Sequence, residues 1–415
     1  MDIKMKVLFL KDYFYPENCA GINLTNDLLE AIVKSGNVAE VFTPIPCRGI
    51  SDELKKEYRY KKQESLYDGK VIVHRYWLPY EKKNLFSRAL RYLLQNIIQI
   101  IKGISCECDV LFIGSTPPTM GIVGTIIKKI KREPFIFNVQ DIFPDSLVTT
   151  GITKEGSCIW KIGYWISKKS YENADKIITI SSSMAENLMR KGVPEKDILT
   201  IHNWIDEEII QPIPKKNNYL FDELHLSRDK FYVVYAGNLG KAQGIDVIID
   251  AAKLLNEKED IQFVIFGNGA QKKEVKNRIL QENLSNIILH DLRPNEEVSY
   301  VYSLGDVSII TCKKGTGEAG LPSKTWSILA TATMPIACFD LNSELSKLIM
   351  DNEIGIAIEP ENPQLLKEVI EEIYLNESKR ILMGKRGRRL VEKYYSKKYC
   401  TDKYINVLKD IITEK

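Results

Sequence analysis

Histidine is nearly absent: the 415 residues contain four, none at the spacing of a metal-ligand pair. The eight cysteines are scattered, and the close pair Cys106 and Cys108 has C-x-C rather than zinc-ribbon spacing. A metal centre is therefore not expected, and reduced, mostly buried thiols in a cytosolic protein fit best. A large charge of one sign is also missing. Lysine and arginine total 58 against 55 aspartate and glutamate, and a net charge of +3 gives no ground for a nucleic-acid partner. No apolar run approaches the roughly 18 residues of a membrane span. Near the start only Val7–Leu10 is continuously apolar, far short of a signal-peptide core, so a cytoplasmic protein is expected. Neither half supplies G-x-G-x-x-G with a distal acidic residue, which argues against a dehydrogenase. Repeats and low-complexity tracts are missing too.

What is present is alternation. Short apolar runs at Val7–Leu10, Glu40–Thr43, Val71–Arg75, Val110–Ile113, Phe135–Val139 and Lys176–Ile180 read as strands. Helical patterns separate several of them, among them Gly121–Lys131, Cys158–Glu172 and Met184–Lys191. The rhythm breaks at Asn203–Tyr219, where Pro212, Pro214, Lys215 and Lys216 have linker composition. A second series follows, with strands at Tyr232–Tyr235, Phe263–Phe266, Ile287–His290, Val307–Thr311 and Met334–Phe339. Its helices are expected at about Asp246–Leu255, Gln271–Glu282 and Ser323–Ala332. Helices at about Pro363–Leu375 and Glu377–Tyr395 lead into a tail. The fold class expected is α/β, with two Rossmann-like, doubly wound parallel-sheet domains facing across a cleft.

Three glycine-rich turns fall at strand ends of the second half. The first, Y-A-G-N-L-G-K-A-Q-G from Tyr235, combines Gly237, Gly240 and Gly244 with Lys241, so that backbone N–H groups and an ammonium can meet an anion. The second, F-G-N-G from Phe266, holds Gly267, Asn268 and Gly269. By pattern alone, both read equally well as plain strand–helix connections. The third runs K-K-G-T-G-E-A-G-L-P-S-K-T-W from Lys313. Pro322 suits a first helical turn, Ser323 or Thr325 could cap it, and Lys324 adds charge at the helix start. Glu318 suits sugar or ribose hydroxyls better than a phosphate.

In the first half, N-V-Q-D-I-F-P-D from Asn138 puts Gln140 and Asp141 at a strand end. Asp141 could contact an acceptor hydroxyl, act as a base, or simply form the turn. The loop Tyr13–Gly21, with Pro16, Glu17, Asn18 and Gly21, follows the first strand, where it would line the cleft. The segment from Leu85 to Ile104 repeats Leu90, Leu93, Leu94, Ile97, Ile98 and Ile101 at helical spacing, with Arg88, Arg91 and Lys102 between them. It could lie on a bilayer surface or pack on its own domain. Basic clusters at Lys55–Lys62 and Lys128–Arg132 suit an anionic membrane or a diphosphate acceptor, and equally a solvated face.

Six motifs in order resemble family 4 glycosyltransferases of the GT-B fold, especially bacterial enzymes of capsule and O-antigen synthesis of the N-acetyl-fucosaminyltransferase-like group. They are Y-F-Y-P-E from Tyr13, N-V-Q-D-I-F-P-D from Asn138, I-H-N-W-I-D from Ile201, Y-A-G-N-L-G-K-A-Q-G from Tyr235, F-G-N-G from Phe266 and L-P-S-K-T-W-S-I-L-A from Leu321. The resemblance implies an acceptor-binding domain at 1–205 and a nucleotide-sugar domain at 206–396. A tail at about 397–415 would pack back on the first domain. It implies a retaining transfer without metal or cofactor, from an NDP-sugar to a lipid-diphosphate-linked acceptor of the undecaprenyl type. The donor is expected to be a UDP-linked amino or deoxy sugar. Contact with the inner face of the cell membrane would run through the N-terminal domain.

The same resemblance places the donor diphosphate on Gly237, Asn238, Gly240, Lys241 and Gln243, and on Gly320, Leu321, Pro322, Ser323 and Lys324. Gly21 would approach it from the other domain, the base would lie near Gly269 and Arg293, Gly267 and Asn268 would also bind the donor, and Glu318 would touch the sugar. Asp141, Glu318 and Lys241 are the expected catalytic groups. The sequence departs from the family at Asn238 and Gln243, where many members carry Arg and Lys. It departs again at Trp326, which stands at the spacing of the family's second glutamate. Alternatives are an NDP-sugar epimerase of the same fold and a non-catalytic binding module.

Overall fold

The computed structural model describes residues 4–17, 21–79, 85–149, 152–317 and 321–413. The chain divides into two units, one of Met1–His202 with Cys400–Lys415, the other of Asn203–Tyr399. Among the described residues no helix is long and apolar enough to cross a membrane.

In the first unit, eight strands form one sheet: β1 (Lys6–Leu10), β2 (Val38–Pro44), β3 (Gln63–Leu66), β4 (Val71–Tyr76), β5 (Val110–Gly114), β6 (Phe135–Val139), β7 (Lys176–Thr179) and β8 (Ile198–Thr200), in the order β3-β4-β2-β1-β5-β6-β7-β8. Runs such as Val-Leu-Phe-Leu in β1 are buried on both sides, as a sheet covered by helices requires. The order reverses at β1 and β5, and the loops after those strands open a ligand crevice in folds of this kind.

The sheet departs from the all-parallel expectation at one edge, where β3 pairs antiparallel with β4. Tyr67, Asp68 and Gly69, all at positive φ, turn the chain too tightly for a parallel crossover. The helices Met120–Lys131 and Cys158–Asn173 cover one face, their Met120, Val123, Ile127 and Tyr171 packing with Leu111, Ile113, Phe135 and Phe137. On the other face lies the C-terminal helix Lys397–Thr413, whose buried Tyr404 ring sits 5.9 Å from Phe112.

The second unit is a six-stranded sheet: β9 (Phe231–Asn238), β10 (Ile261–Asn268), β11 (Ile287–His290), β12 (Val307–Thr311), β13 (Met334–Cys338) and β14 (Ile356–Ile358), in the order β11-β10-β9-β12-β13-β14, parallel throughout. Its switch point lies between β9 and β12, so the turns after these two strands are neighbours. The proline- and lysine-rich stretch read as a linker is stitched to this unit rather than loose. Gln211 and Ile213 donate backbone N–H groups to Ser299 and Ser303, and Lys215 pairs with Asp306 at 2.7 Å. Arg388 secures its start by donating to the carbonyls of Glu207, Ile210 and Ala330.

Candidate active site

The chemistry-bearing residues of the second unit gather at its switch point. The last pairs of β9 and β10 are Gly237 with Gly267 and Asn238 with Asn268, so the first two glycine turns leave the sheet side by side. Leu239 locks them together. Its N–H donates to Asn268 O at 2.8 Å, its carbonyl accepts from Gln271 N at 2.9 Å, and its side chain is fully buried. Beyond it, Lys241–Gln243 makes one 3₁₀ turn closed by Gln243 N to Gly240 O at 3.0 Å. Gly244 then turns at φ 60°, where an added Cβ would stand 2.9 Å from Cys312 O. With Lys313 N donating to Ala242 O at 3.0 Å, the loop after β9 is tied to the end of β12.

The third turn delivers a cation to the first. Lys324 opens the helix Lys324–Ala330, and its ammonium nitrogen is inaccessible to solvent with no hydrogen-bond partner. It lies 4.0 Å above the centroid of the Tyr235 ring, a cation–π contact. Tyr235 is itself held by a 2.8 Å hydrogen bond to Asn238 O. Gly237 has φ 148°, and a Cβ there would come within 2.7 Å of Lys324 Nζ. Glycine at 237 is therefore what lets the ammonium lie against the strand end. Burial pushes the Lys324 pKa down to about 8. A buried, unpaired ammonium beside a glycine turn is stabilised by any anion that arrives there.

This distribution differs from the expected one. Lys241 is exposed in its 3₁₀ turn, and Lys324 is the cation drawn into the site. Neither Ser323 nor Thr325 caps the helix: Ser323 is helical and makes no capping bond, while Thr325 is fully buried. Pro322 instead accepts from Thr325 N at 3.0 Å. The helix has seven residues, so the Lys324 side chain matters more than the macrodipole. Leu321 packs half-buried against the core. Arg293 is committed elsewhere. It forms a bidentate pair with Glu223 at 2.9 and 3.0 Å and donates Nε to Glu297 at 2.6 Å, which spends its guanidinium on the protein. Glu318 and Gly320 lie outside the described residues.

One residue escaped the sequence reading. Asp340, just past β13 and 9% exposed, accepts Gly315 N at 2.9 Å and Gly317 N at 2.8 Å. It thereby anchors the loop that leads to Glu318. Aspartate at a strand end was the available signal, but its partners lie more than twenty residues away. Asp340→Ala should raise the donor KM roughly tenfold, since two hydrogen bonds to a charged acceptor are worth about 1.5–3 kcal/mol each and part of that loss relaxes. Asp340→Asn, keeping one acceptor, should lose less. Steady-state kinetics on both variants checks the order.

In the first unit, Asp141 is exposed at the end of β6, and partial desolvation raises its pKa. The strand end behind it is braced. Gln140 N donates to Ser115 Oγ at 3.0 Å, while Asn138 Oδ1 accepts from Gln140 Nε2 and from Tyr404 Oη, both at 3.3 Å. Glu17 does not line an open surface. It is buried, and its carboxylate accepts N–H groups of Phe14, Cys47 and Arg48 at 3.2, 2.9 and 3.0 Å, which ties two loops together. Asn18 lies outside the described residues. Gly21, at φ 81°, starts the helix Ile22–Lys34 and has nothing within 4 Å of the place a Cβ would take.

A family model described as Glycosyltransferase Family 4 matches residues 23–209, and one described as Glycosyl transferases group 1 matches 218–390. The chain thus carries both domains of a GT-B glycosyltransferase, and it is an enzyme of that class. It is similar to the probable glycosyltransferase WbjE of Pseudomonas aeruginosa, at 25% identity over 80% of this chain and 83% of that one. It is also similar to the putative colanic acid biosynthesis glycosyl transferase WcaI of Escherichia coli K12, at 24% identity over 87% and 90%. Among solved structures, Anabaena Alr3699/HepE in complex with UDP and glucose has the same fold, with a TM-score of 0.72 at 14% identity, covering 98% of this chain and 100% of that one.

Proposed function

We propose that this glycosyltransferase moves a sugar from a UDP-linked donor, an amino or deoxy sugar, to a lipid-diphosphate-linked glycan in the synthesis of a surface polysaccharide, with retention of configuration and without a metal. The observation that carries the reading is the buried Lys324 ammonium against Gly237, a cation in place for a diphosphate. As the bond from the sugar to the diphosphate breaks, negative charge grows on the leaving oxygens. Lys324 and the N–H groups of the Gly237–Gly244 turn stabilise that charge, and because they are already oriented they need no reorganisation. On the acceptor side, Asp141 holds or relieves the attacking hydroxyl of its proton. Names among the relatives support the polysaccharide setting, colanic acid for WcaI, and UDP with glucose in HepE supports the donor class.

A panel of nucleotide sugars incubated with polyprenyl-diphosphate-linked sugars tests the reading. Transfer from one UDP-sugar is expected, unaffected by EDTA, with the anomeric proton of the product matching the donor configuration. Epimerised donor without acceptor, or no turnover of any nucleotide sugar, would reject it.

A further inference from the structure

Three loops leave the carboxyl ends of neighbouring strands in the first unit: residues 11–17 after β1, 45–50 after β2 and 77–79 after β4. Buried polar groups hold all three from beneath. Glu17 ties the first loop to the second through the N–H groups of Phe14, Cys47 and Arg48. The fully buried Arg75 guanidinium donates to Tyr15 O at 2.5 Å, and its Nε donates to Glu64 at 3.1 Å. Ile45 N donates to Tyr76 O at 2.8 Å, joining the second loop to the end of β4. The helix Leu85–Ser105 turns its polar side inward, with Arg91, Gln95 and Gln99 buried. Arg91 donates to Pro79 O, and Gln99 Nε2 donates to Lys11 O at 2.9 Å. Loops pinned in this way lose little freedom when a ligand binds them.

What they present to solvent is selective. Their exposed side chains are Tyr15, Arg48 and Trp77, with Tyr15 at 53% and Trp77 at 68%. None is aliphatic: Ile45 and Ile50 are half-buried and Leu78 is buried. The Arg48 guanidinium lies over the Tyr13 ring, 5.3 Å from its centroid. A lipid tail would be met by Leu, Ile or Val. Rings beside a guanidinium suit a ligand with an apolar face and a polar rim, and a pyranose is such a ligand. Its axial C–H groups meet the negative face of an aromatic ring, and its hydroxyls accept from guanidinium N–H groups. The carboxyl ends of the strands are where this kind of sheet binds ligands.

We propose that Tyr15, Arg48 and Trp77 form a subsite for a sugar ring of the acceptor glycan, remote from the hydroxyl that is glycosylated. The proposal rests on the sugar-transfer reading, in which Asp141 meets that hydroxyl at the end of β6. The sheet order puts β4 four strands from β6, about 19 Å and further than one sugar ring reaches. The acceptor is then a lipid-linked glycan of at least two sugars, so another glycosyl transfer must load the lipid before this enzyme acts.

Binding is measured first, without donor or lipid, on a printed array of bacterial surface oligosaccharides with monosaccharide methyl glycosides beside them. The full chain should bind particular oligosaccharides and hold the methyl glycosides far more weakly. Trp77→Ala and Tyr15→Ala should each weaken that binding about tenfold, and Trp77→Phe much less. Tyr60→Ala, which removes a ring 78% exposed outside these loops, should bind as the wild type does. All these rings lie at the surface, so melting curves should match the wild type. With the bound oligosaccharide carried on a polyprenyl diphosphate, the two alanine variants should raise the acceptor KM by a similar factor. Their kcat and donor KM should stay close to the wild-type values. Absence of saccharide binding would overturn the proposal, as would alanine variants that bind unchanged. So would an acceptor KM equal for one sugar and for several. Oligosaccharide binding that the variants lose, in a protein that turns over no nucleotide sugar, would support the subsite and reject sugar transfer instead.

Discussion

Replacing Lys324 by alanine should lower kcat/KM for the nucleotide sugar by about 10²–10³, the loss typical when one preorganised charge-stabilising group is removed. The same change should leave the free enzyme's folding stability equal or higher. The ammonium is buried without a partner, and its pKa is held at about 8, below the ordinary lysine value. A depressed lysine pKa means that the unfolded chain binds the proton more tightly. Stability therefore rises with pH between about 8 and 10.5, and below about 8 the charged lysine costs on the order of 3 kcal/mol relative to a solvated one. Loss of the contact with Tyr235 offsets part of that gain in the variant.

Donor affinity has the opposite dependence. An anion prefers the protonated amine, so affinity should be flat below pH 8 and fall with rising pH above it. Lys324→Ala should abolish that alkaline limb. Lys324→Arg should not rescue, because the space against Gly237 is already filled by a single ammonium. Donor titration by calorimetry across pH, with thermal melts of the same proteins, checks all of this. A variant that loses stability and donor affinity together would make Lys324 a packing residue.

Restoring the family's carboxylate at the spacing of Trp326 should fail. Trp326 is 2% exposed, belongs to the core, and stacks on Tyr395 with ring centroids 4.2 Å apart and planes 23° apart. Two residues along a helix, side chains point to nearly opposite sides, so Lys324 meets Gly237 while Trp326 enters the core. Removing a buried tryptophan costs about 3–5 kcal/mol, and an unpaired carboxylate in its place costs more. Against a typical stability of 5–15 kcal/mol, Trp326→Glu should leave the second unit largely unfolded. Trp326→Phe, which keeps the stacking, should fold and turn over donor at close to the wild-type rate. Urea denaturation followed by circular dichroism, with donor turnover of the soluble fraction, separates these outcomes. A folded, more active Trp326→Glu enzyme would show that the position faces the donor after all.

Several elements escaped the sequence for identifiable reasons. β3, β8 and β14 are strands of three or four residues, all at sheet edges, too short to show a period. The helix Val298–Leu304 was missed because its seven residues offer barely two turns of pattern. The pairing of Arg293 with Glu223 was not legible either, because the two stand seventy residues apart.

By itself the sequence determined the two α/β units and the strands that carry the glycine turns, because continuous apolar runs and turn glycines are local signals, and the resemblance of six motifs in order pointed to the glycosyltransferase class. Only the tertiary structure decided which lysine lies buried against the first glycine turn. Lys241 and Lys324 read alike in one dimension, but the switch point between β9 and β12 brings the helix start at Lys324 against Gly237 and leaves Lys241 in solvent. It also decided which way the Leu85–Ser105 helix faces. A period of 3.6 residues separates a polar from an apolar side, yet which side turns inward depends on what the fold places beneath it.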